Sequence, residues 1–362
     1  MRFYTHQPRA HSHGRAFSPG ATVVYPNLDG RWHGSFCAYP GDEREPAHAP
    51  MSLSMFKEVV DATPRRSLLQ ISGGEPLSPP WARRAIAYAA RRRRISLLTA
   101  GQGIHPDDAS LVTSRAPDSI VHPGVFEVAP TFFGDELAHD EVMGVPGTYA
   151  AAVEEIAEIR RQRQERGLSF PKVNLRYLLS PESATGLLQA WHVARDLKLD
   201  HFTIALEDRG PWFEDSSERG VDVMQKKAPS FPRGFAKSAA SQVRHVMEES
   251  KGHRAPRVRV SQGIDKPQEV QRYFANRRDL TKYECPLPWF WMMVDPAGDA
   301  YLCPRYKLGN LAAEGLDEVW NGGRARAFRK ALAARGSFPA CAGCPGLRLK
   351  RKRGAPKAPS GE

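Results

Sequence analysis

Short apolar runs alternate with longer stretches whose apolar positions recur at helical spacing, a rhythm that sets in at residue 21 and holds to about residue 206. The runs over 21–25, 68–72, 95–99, 125–129, 173–179 and 202–206 are rich in β-branched and aromatic residues and predict strands. The stretches over 52–62, 80–92, 106–113, 148–166 and 184–197 predict helices. Strands and helices taking turns specify a parallel sheet with crossover helices, so the fold class is α/β, either a barrel or a doubly wound sheet. In both, ligands gather at the carboxyl ends of the strands.

Gly, Pro, Ser and charged residues over 207–232 break the rhythm and predict a long loop, followed by a helix over about 234–250. From Glu284 onward the chain turns to short strand-like runs, turns and cysteines, which places a domain boundary near Asp279. The expected organisation is a leader over 1–20, a barrel-like unit over 21–206, a connecting region over 207–280, a small metal-binding domain over 281–348 and a basic, disordered tail over 349–362.

Composition narrows the function classes. The chain has 362 residues, 41% hydrophobic and 25% charged, ordinary values for a folded protein with a substantial core. No apolar run is long enough to span a bilayer, and the amino terminus lacks the apolar stretch of a secretory signal, so no membrane association and a cytoplasmic location are expected. The net charge of +12 is partly local, in Arg91 to Arg94 and Arg348 to Arg353, and such runs read as solvated surface. No finger, homeodomain or stacking-platform pattern accompanies them, which argues against a nucleic-acid partner. Walker loops, nucleophile elbows and dinucleotide fingerprints are missing as well.

Five cysteines in a chain of this kind point to metal or thiol chemistry in preference to a disulfide framework. Cys37 stands alone, and the other four lie in the last quarter. Cys285 and Cys303 bracket a hairpin-like segment that turns at Asp295-Pro296-Ala297-Gly298, and Cys341-Ala-Gly-Cys344 adds a C-x-x-C turn. Four thiolates so arranged suit tetrahedral zinc or an iron–sulfur cube, and spacing leaves that choice open.

Cys285, Gly298, Cys303, Leu308-Gly309-Asn310, Val319-Trp320 and Cys341-x-x-Cys344 together resemble the auxiliary-cluster region called SPASM or, in its shortened form, Twitch. The resemblance implies one auxiliary [4Fe-4S] cluster on Cys285, Cys303, Cys341 and Cys344, since the further cysteines of a full SPASM domain are absent after Cys344. It also implies that a partial (β/α)6-type radical-SAM barrel precedes this domain. Two matching stretches are present: Ile71-Ser72-Gly73-Gly74-Glu75-Pro76, and His139-Asp140 followed by Gly144-Val145-Pro146-Gly147 ahead of Thr148. In such proteins the first holds the amino group of S-adenosylmethionine (SAM) through its backbone, so Gly73, Gly74, Glu75 and Pro76 are the candidate SAM site. Glycines after a buried strand let the backbone approach a ligand closely.

The family's C-x3-C-x2-C motif falls here on His33, Cys37 and Pro40, so one thiolate of three remains. A proline side chain offers no ligand atom, and a barrel cluster of the usual kind is therefore not expected. The resemblance implies an iron–sulfur protein acting on a peptide, a protein or a small metabolite without the usual radical-SAM cluster, and it allows an electron-donor protein as a further partner. The alternatives are a non-catalytic pseudoenzyme that binds a partner, or a scaffold whose cysteines hold zinc for folding alone. Glu127 and Thr131, which flank the end of the fourth strand, and Asn174 and Arg176 on the fifth, where side chains can point into a barrel, are secondary candidates.

Overall fold

The computed structural model describes residues 14–27, 49–99, 106–208, 220–225, 230–252, 254, 256–260, 264, 266–344 and 346–350. The alternation read from the sequence becomes β1 (Ala21–Val24), α1 (Leu53–Ala62), β2 (Leu68–Ile71), α2 (Ala82–Ala90), β3 (Arg94–Thr99), α3 (Pro106–Ser114) and β4 (Gly124–Phe132). It continues with α4 (Glu136–Met143), α5 (Thr148–Glu165), β5 (Lys172–Leu179), α6 (Leu187–Asp196), β6 (His201–Leu206), α7 (Phe235–Glu249), β7 (Arg257–Val260) and α8 (Pro267–Phe274). The carboxyl-terminal part holds β8 (Tyr283–Glu284), β9 (Trp291–Val294), β10 (Asp299–Cys303), β11 (Tyr306–Asn310), α9 (Leu316–Asn321), α10 (Gly323–Arg335) and β12 (Arg348–Leu349).

Strands β1 to β7 lie side by side in chain order and all pair in parallel. The crossover helices explain why: each returns the chain to the same end of the sheet and covers one sheet face. On α5 the buried Tyr149, Ala152, Ile156 and Ile159 share a stripe, and on α7 Phe235, Ala239, Val243 and Val246 do the same. They meet the outward residues of the strands, such as Val173, Leu175, Tyr177 and Leu179 of β5, in one continuous core. Helix starts follow local capping chemistry. Ser52 Oγ accepts the backbone N–H of Met55 ahead of α1, and the Asp135 carboxylate accepts that of Ala138 ahead of α4.

Residues on the other face of the strands line the interior of the curled sheet, and several of them are polar. Ser96 Oγ donates to Glu127 (2.9 Å), Asn174 Nδ2 donates to the same carboxylate (3.1 Å), and Thr203 Oγ1 donates to Asn174 Oδ1 (2.8 Å). This chain of hydrogen bonds crosses β3, β4, β5 and β6. Burial raises the Glu127 carboxyl's pKa, opposed by these donors and by Arg259 and Arg176. Glu127 therefore sits near the amino end of β4, because that strand runs three residues further than the expected 125–129, from Gly124 to Phe132.

The expected boundary near Asp279 does not interrupt the sheet. Strand β9 pairs in parallel with β1, from Ala21 opposite Trp291 to Val24 opposite Val294. Strands β10 and β11 follow in antiparallel fashion, so one sheet of ten strands runs β11-β10-β9-β1-β2-β3-β4-β5-β6-β7. The stretch 207–280 contributes β7 and α8 as well as the expected helix, here α7. The basic run near the end is not wholly tail: Leu349 pairs with Tyr283, and Arg348 Nε bonds Glu284 Oε1 at 3.0 Å. An ion pair on a short strand pair holds what charge density alone reads as solvated. No helix among the described residues is long and apolar enough to cross a membrane.

Candidate functional site

The sequence pointed to two centres, one after β2 and one at the four cysteines. After β2 the chain enters Gly73-Gly74-Glu75-Pro76 beside the exit of β1. Gly73 has φ of +135°, and a Cβ there would lie 2.5 Å from the carbonyl oxygen of Asn27, so glycine is required twice over, by conformation and by space. Gly74 N–H donates to the same carbonyl at 3.1 Å. Asn27 Nδ2 in turn donates to Glu75 O (3.0 Å) and to Ser78 Oγ (2.7 Å). The side chain of Glu75 is buried and accepts from Thr99 Oγ1 (2.7 Å) at the end of β3 and from the Leu77 backbone N–H (3.1 Å). Glu75 thus ties three strand ends together, and the two glycines remain as backbone at the mouth. Asn27 and Thr99 were not singled out from sequence, though a polar residue directly after a buried strand is a signal that could have found Asn27. His33, Cys37 and Pro40 lie outside the described residues.

His139 and Asp140 serve the fold. Asp140 Oδ1 accepts from Thr148 Oγ1 and from the Tyr149 backbone N–H, each at 2.8 Å, capping α5. His139 is fully buried among the rings of Phe132, Phe133 and Tyr149, and burial pushes its pKa down to about 4. Arg176, inward on β5, has its pKa lowered by burial, with Glu127 and Tyr25 acting against the shift. Thr131 pairs across the sheet with Arg176.

The four cysteines come together. Cys285, Cys303, Cys341 and Cys344 line one small cavity with Arg305, Leu302, Leu332 and Phe338. Three local devices supply them. Cys285 follows β8, Cys303 ends β10 at the far end of that strand from the Gly298 turn (φ +85°), and the C-x-x-C turn that carries Cys341 and Cys344 follows α10. All four are free thiols. Burial raises the pKa of each; for Cys285 the other three thiols add to this, for Cys341 the value reaches about 11 and for Cys344 about 12. Thiols crowded in this way ionise together only beside a compensating positive charge, which a bound metal centre supplies.

The surroundings suit such a group. Backbone N–H groups of Phe338 and Gly346 point at the sulfurs of Cys341 (3.4 Å) and Cys344 (3.3 Å), the kind of donor that stabilises ligated thiolate. Arg305 lines the cavity, pairs with Asp208 at 2.5 Å, and keeps a buried Nε without a hydrogen-bond partner. Among the described residues no three or more His, Cys, Asp or Glu side chains are arranged to hold a single metal ion. A tetrahedral zinc would draw four sulfurs to about 2.3 Å from one point. An iron–sulfur cube would instead take one thiolate on each of its four irons.

Sequence reasoning missed what holds the C-x-x-C turn. Arg278 Nη2 lies 2.7 Å from the carbonyl of Ala342 and 2.6 Å from that of Cys344. The Tyr273 hydroxyl of α8 lies 3.0 Å from the carbonyl of Gly343 and 2.6 Å from that of Glu207. The guanidinium of Arg278 sits between the rings of Tyr273 and Tyr283. No local pattern around Arg278 signals this role, because its partners lie more than sixty residues away.

Comparison with known proteins agrees with this geometry. Residues 285–345 match SPASM, an iron-sulfur cluster-binding domain. Among solved structures, Streptococcus suis SuiB bound to precursor peptide SuiA is similar with a TM-score of 0.62 at 14% identity, covering 91% of this chain and 71% of that one. SuiB bound to S-adenosylmethionine gives 0.59 at 14% identity, with 88% and 69% covered. The anSMEcpe structure with bound AdoMet gives 0.57 at 12% identity, with 85% and 82% covered. No curated protein matches the chain. At these identities the likeness to solved structures is one of fold.

Proposed function

We propose that this chain, which joins a SPASM domain to the fold of radical SAM enzymes, holds one [4Fe-4S] cluster on Cys285, Cys303, Cys341 and Cys344 and acts on a peptide with SAM bound at Gly73 to Pro76. The observation that carries the reading is the convergence of all four thiols on one cavity from three separate segments of chain. SAM binding is supported by the Gly73-Gly74 turn directly after β2, where Gly73 holds φ of +135°, and by SAM in two structural neighbours. A peptide substrate is supported by the SuiB complex with its precursor peptide. When bound, the cluster supplies a one-electron acceptor close to substrate. The protein's part is to hold the thiols apart at the cavity wall, to aim N–H donors at their sulfurs, and to keep Arg305 beside them as a fixed positive charge.

A second reading keeps SAM or peptide binding without radical chemistry, as in a partner-binding pseudoenzyme. The observation favouring it is the sequence His33, Cys37, Pro40, which offers one thiolate where a barrel cluster needs three. Anaerobic purification followed by iron and sulfide analysis tests the first reading, with about four of each per chain expected for a single cube. Stoichiometric zinc with no iron would overturn it. Titration with SAM, then dithionite reduction and chromatography for 5′-deoxyadenosine, separates the two: binding without cleavage supports the second reading, and turnover removes it.

A further inference from the structure

A basic cavity lies apart from both centres. A cavity of about 780 Å³ opens at the opposite end of the sheet, lined by the first residues of the parallel strands: Ala21 of β1, Leu68 of β2, Arg94 of β3, Lys172 of β5, His201 of β6 and Arg257 of β7. Ligand sites in barrels belong to the carboxyl ends of strands, and the amino ends are ordinarily packed shut. Here they are not.

The lining brings six cationic side chains together: Arg66, Arg94, Lys172, Arg254, Arg257 and Arg259. Among the described residues two acids, Glu127 and Asp200, face them, and both are engaged. Asp200 is held by Arg163 (2.5 Å), by Lys172 (3.4 Å) and by the Val173 backbone N–H (3.0 Å). Glu127 is hydrogen-bonded to Ser96 and Asn174 at the cavity floor. Arg66, Arg254 and Arg257 make no side-chain ion pair or hydrogen bond to any described residue. Arg259 donates to His201 Nε2 at 3.1 Å, so the neutral His201 ring carries its proton on the buried Nδ1 and leaves Arg259 beside the cavity as a cation. The rest of the wall is apolar, with the rings of Phe126 and Phe170 at 5.1 Å between centroids, and Ile120 at the rim is 45% exposed.

We propose that this amino-terminal cavity binds a small organic polyanion, a planar or apolar body carrying two or more phosphate groups, of the nucleoside diphosphate class. The cavity volume falls in the range of small-molecule sites, about 300 to 1,000 Å³, where a peptide groove would be longer and shallower. Unpaired arginines recognise phosphate by bidentate hydrogen bonding as well as by charge. Phe126 and Phe170 offer the planar part a face on which to lie. The site lies across the sheet from the Gly73-Gly74 turn, so it is a second ligand site and not an extension of the first.

Calorimetric titration of the full, anaerobically purified chain with ADP, pyrophosphate and adenosine tests the proposal, carried out with saturating SAM present. ADP is expected to bind once per chain, more tightly than pyrophosphate or adenosine, and more weakly as salt is raised. Arg66→Ser and Arg257→Ser are each expected to weaken ADP about tenfold or more, on the strength of one lost charge-assisted contact. Arg66 and Arg257 are exposed and unpartnered, so the variants keep the parent melting temperature. Arg326→Ser with Lys330→Ser, on the exposed face of α10, is expected to leave ADP binding unchanged. The proposal is overturned if ADP shows no binding at millimolar concentration, if SAM competes with it, if the two arginine variants bind like the parent, or if an oligoglutamate peptide binds where ADP does not. None of these outcomes depends on the iron content, so the cluster reading stands or falls separately.

Discussion

At the scale of single residues, two positions show how little freedom the chain has around the turn after β2 and the core behind β4. Gly73→Ala places a methyl 2.5 Å from the Asn27 carbonyl in a conformation that L-residues avoid. A loss of about 2 kcal/mol or more of stability is expected, from backbone strain plus the clash. SAM affinity is expected to fall with it, and calorimetry beside thermal melting reads both. His139 gives the protein a dependence on pH. Its pKa is pushed down to about 4 in the folded state, against about 6.5 in an unfolded chain. Between these values the unfolded state binds the additional proton, so stability falls as pH drops from 6.5 toward 4, by on the order of 3 kcal/mol for this one buried ring. His139→Phe removes the titrating group. That variant is expected to melt lower at pH 7 but to lose less between pH 7 and pH 5 than the parent; an unchanged slope would assign the acid sensitivity elsewhere.

At the scale of elements, the C-x-x-C turn is held from outside by Arg278 and by Tyr273 of α8. Arg278→Met leaves two buried carbonyls without their donor, at about 1 to 3 kcal/mol each. Iron content is expected to drop well below that of the parent while the circular dichroism of the barrel is retained. Full iron loading in this variant would show that the turn positions itself. What was legible in the sequence divides along the same line. Strands β2 to β6 were readable because their outward faces meet helices and carry continuous apolar residues. Strand β7 was not, because only Val258 and Val260 mark its outward face while Arg257 and Arg259 enter a polar cavity. Helix α4 escaped notice because its eight residues carry no apolar stripe, and it exists through the Asp135 cap and the burial of His139 and Met143. The four cysteines were legible as a set through their spacing around two turns. The arginines and tyrosines that secure them were not, since contacts between distant segments leave no local trace.

For the whole molecule, the decisive feature is that the carboxyl-terminal strands belong to the same sheet as the parallel ones. The sequence suggested a boundary near Asp279, and composition does change there, yet β9 completes the edge of β1 through a full parallel register. A chain ending at residue 280 would expose the unpaired edge of β1, with Val23 and Tyr25 stripped of their packing against Met293 and Tyr301. Such an edge templates association. The truncated chain is expected to be insoluble or oligomeric by size-exclusion chromatography, and a soluble, monomeric product with the parent's melting behaviour would show that the two parts fold independently.

The pairing of β9 with β1 also restricts how the two candidate centres can move. Two ligand-bearing regions joined by a linker can swing apart to admit a bulky guest and close on it afterwards. Here the path from the Gly73-Gly74 turn to the thiol cavity runs through β2, β1, β9 and β10, neighbours in a single sheet, so the two regions are braced against each other by the backbone itself.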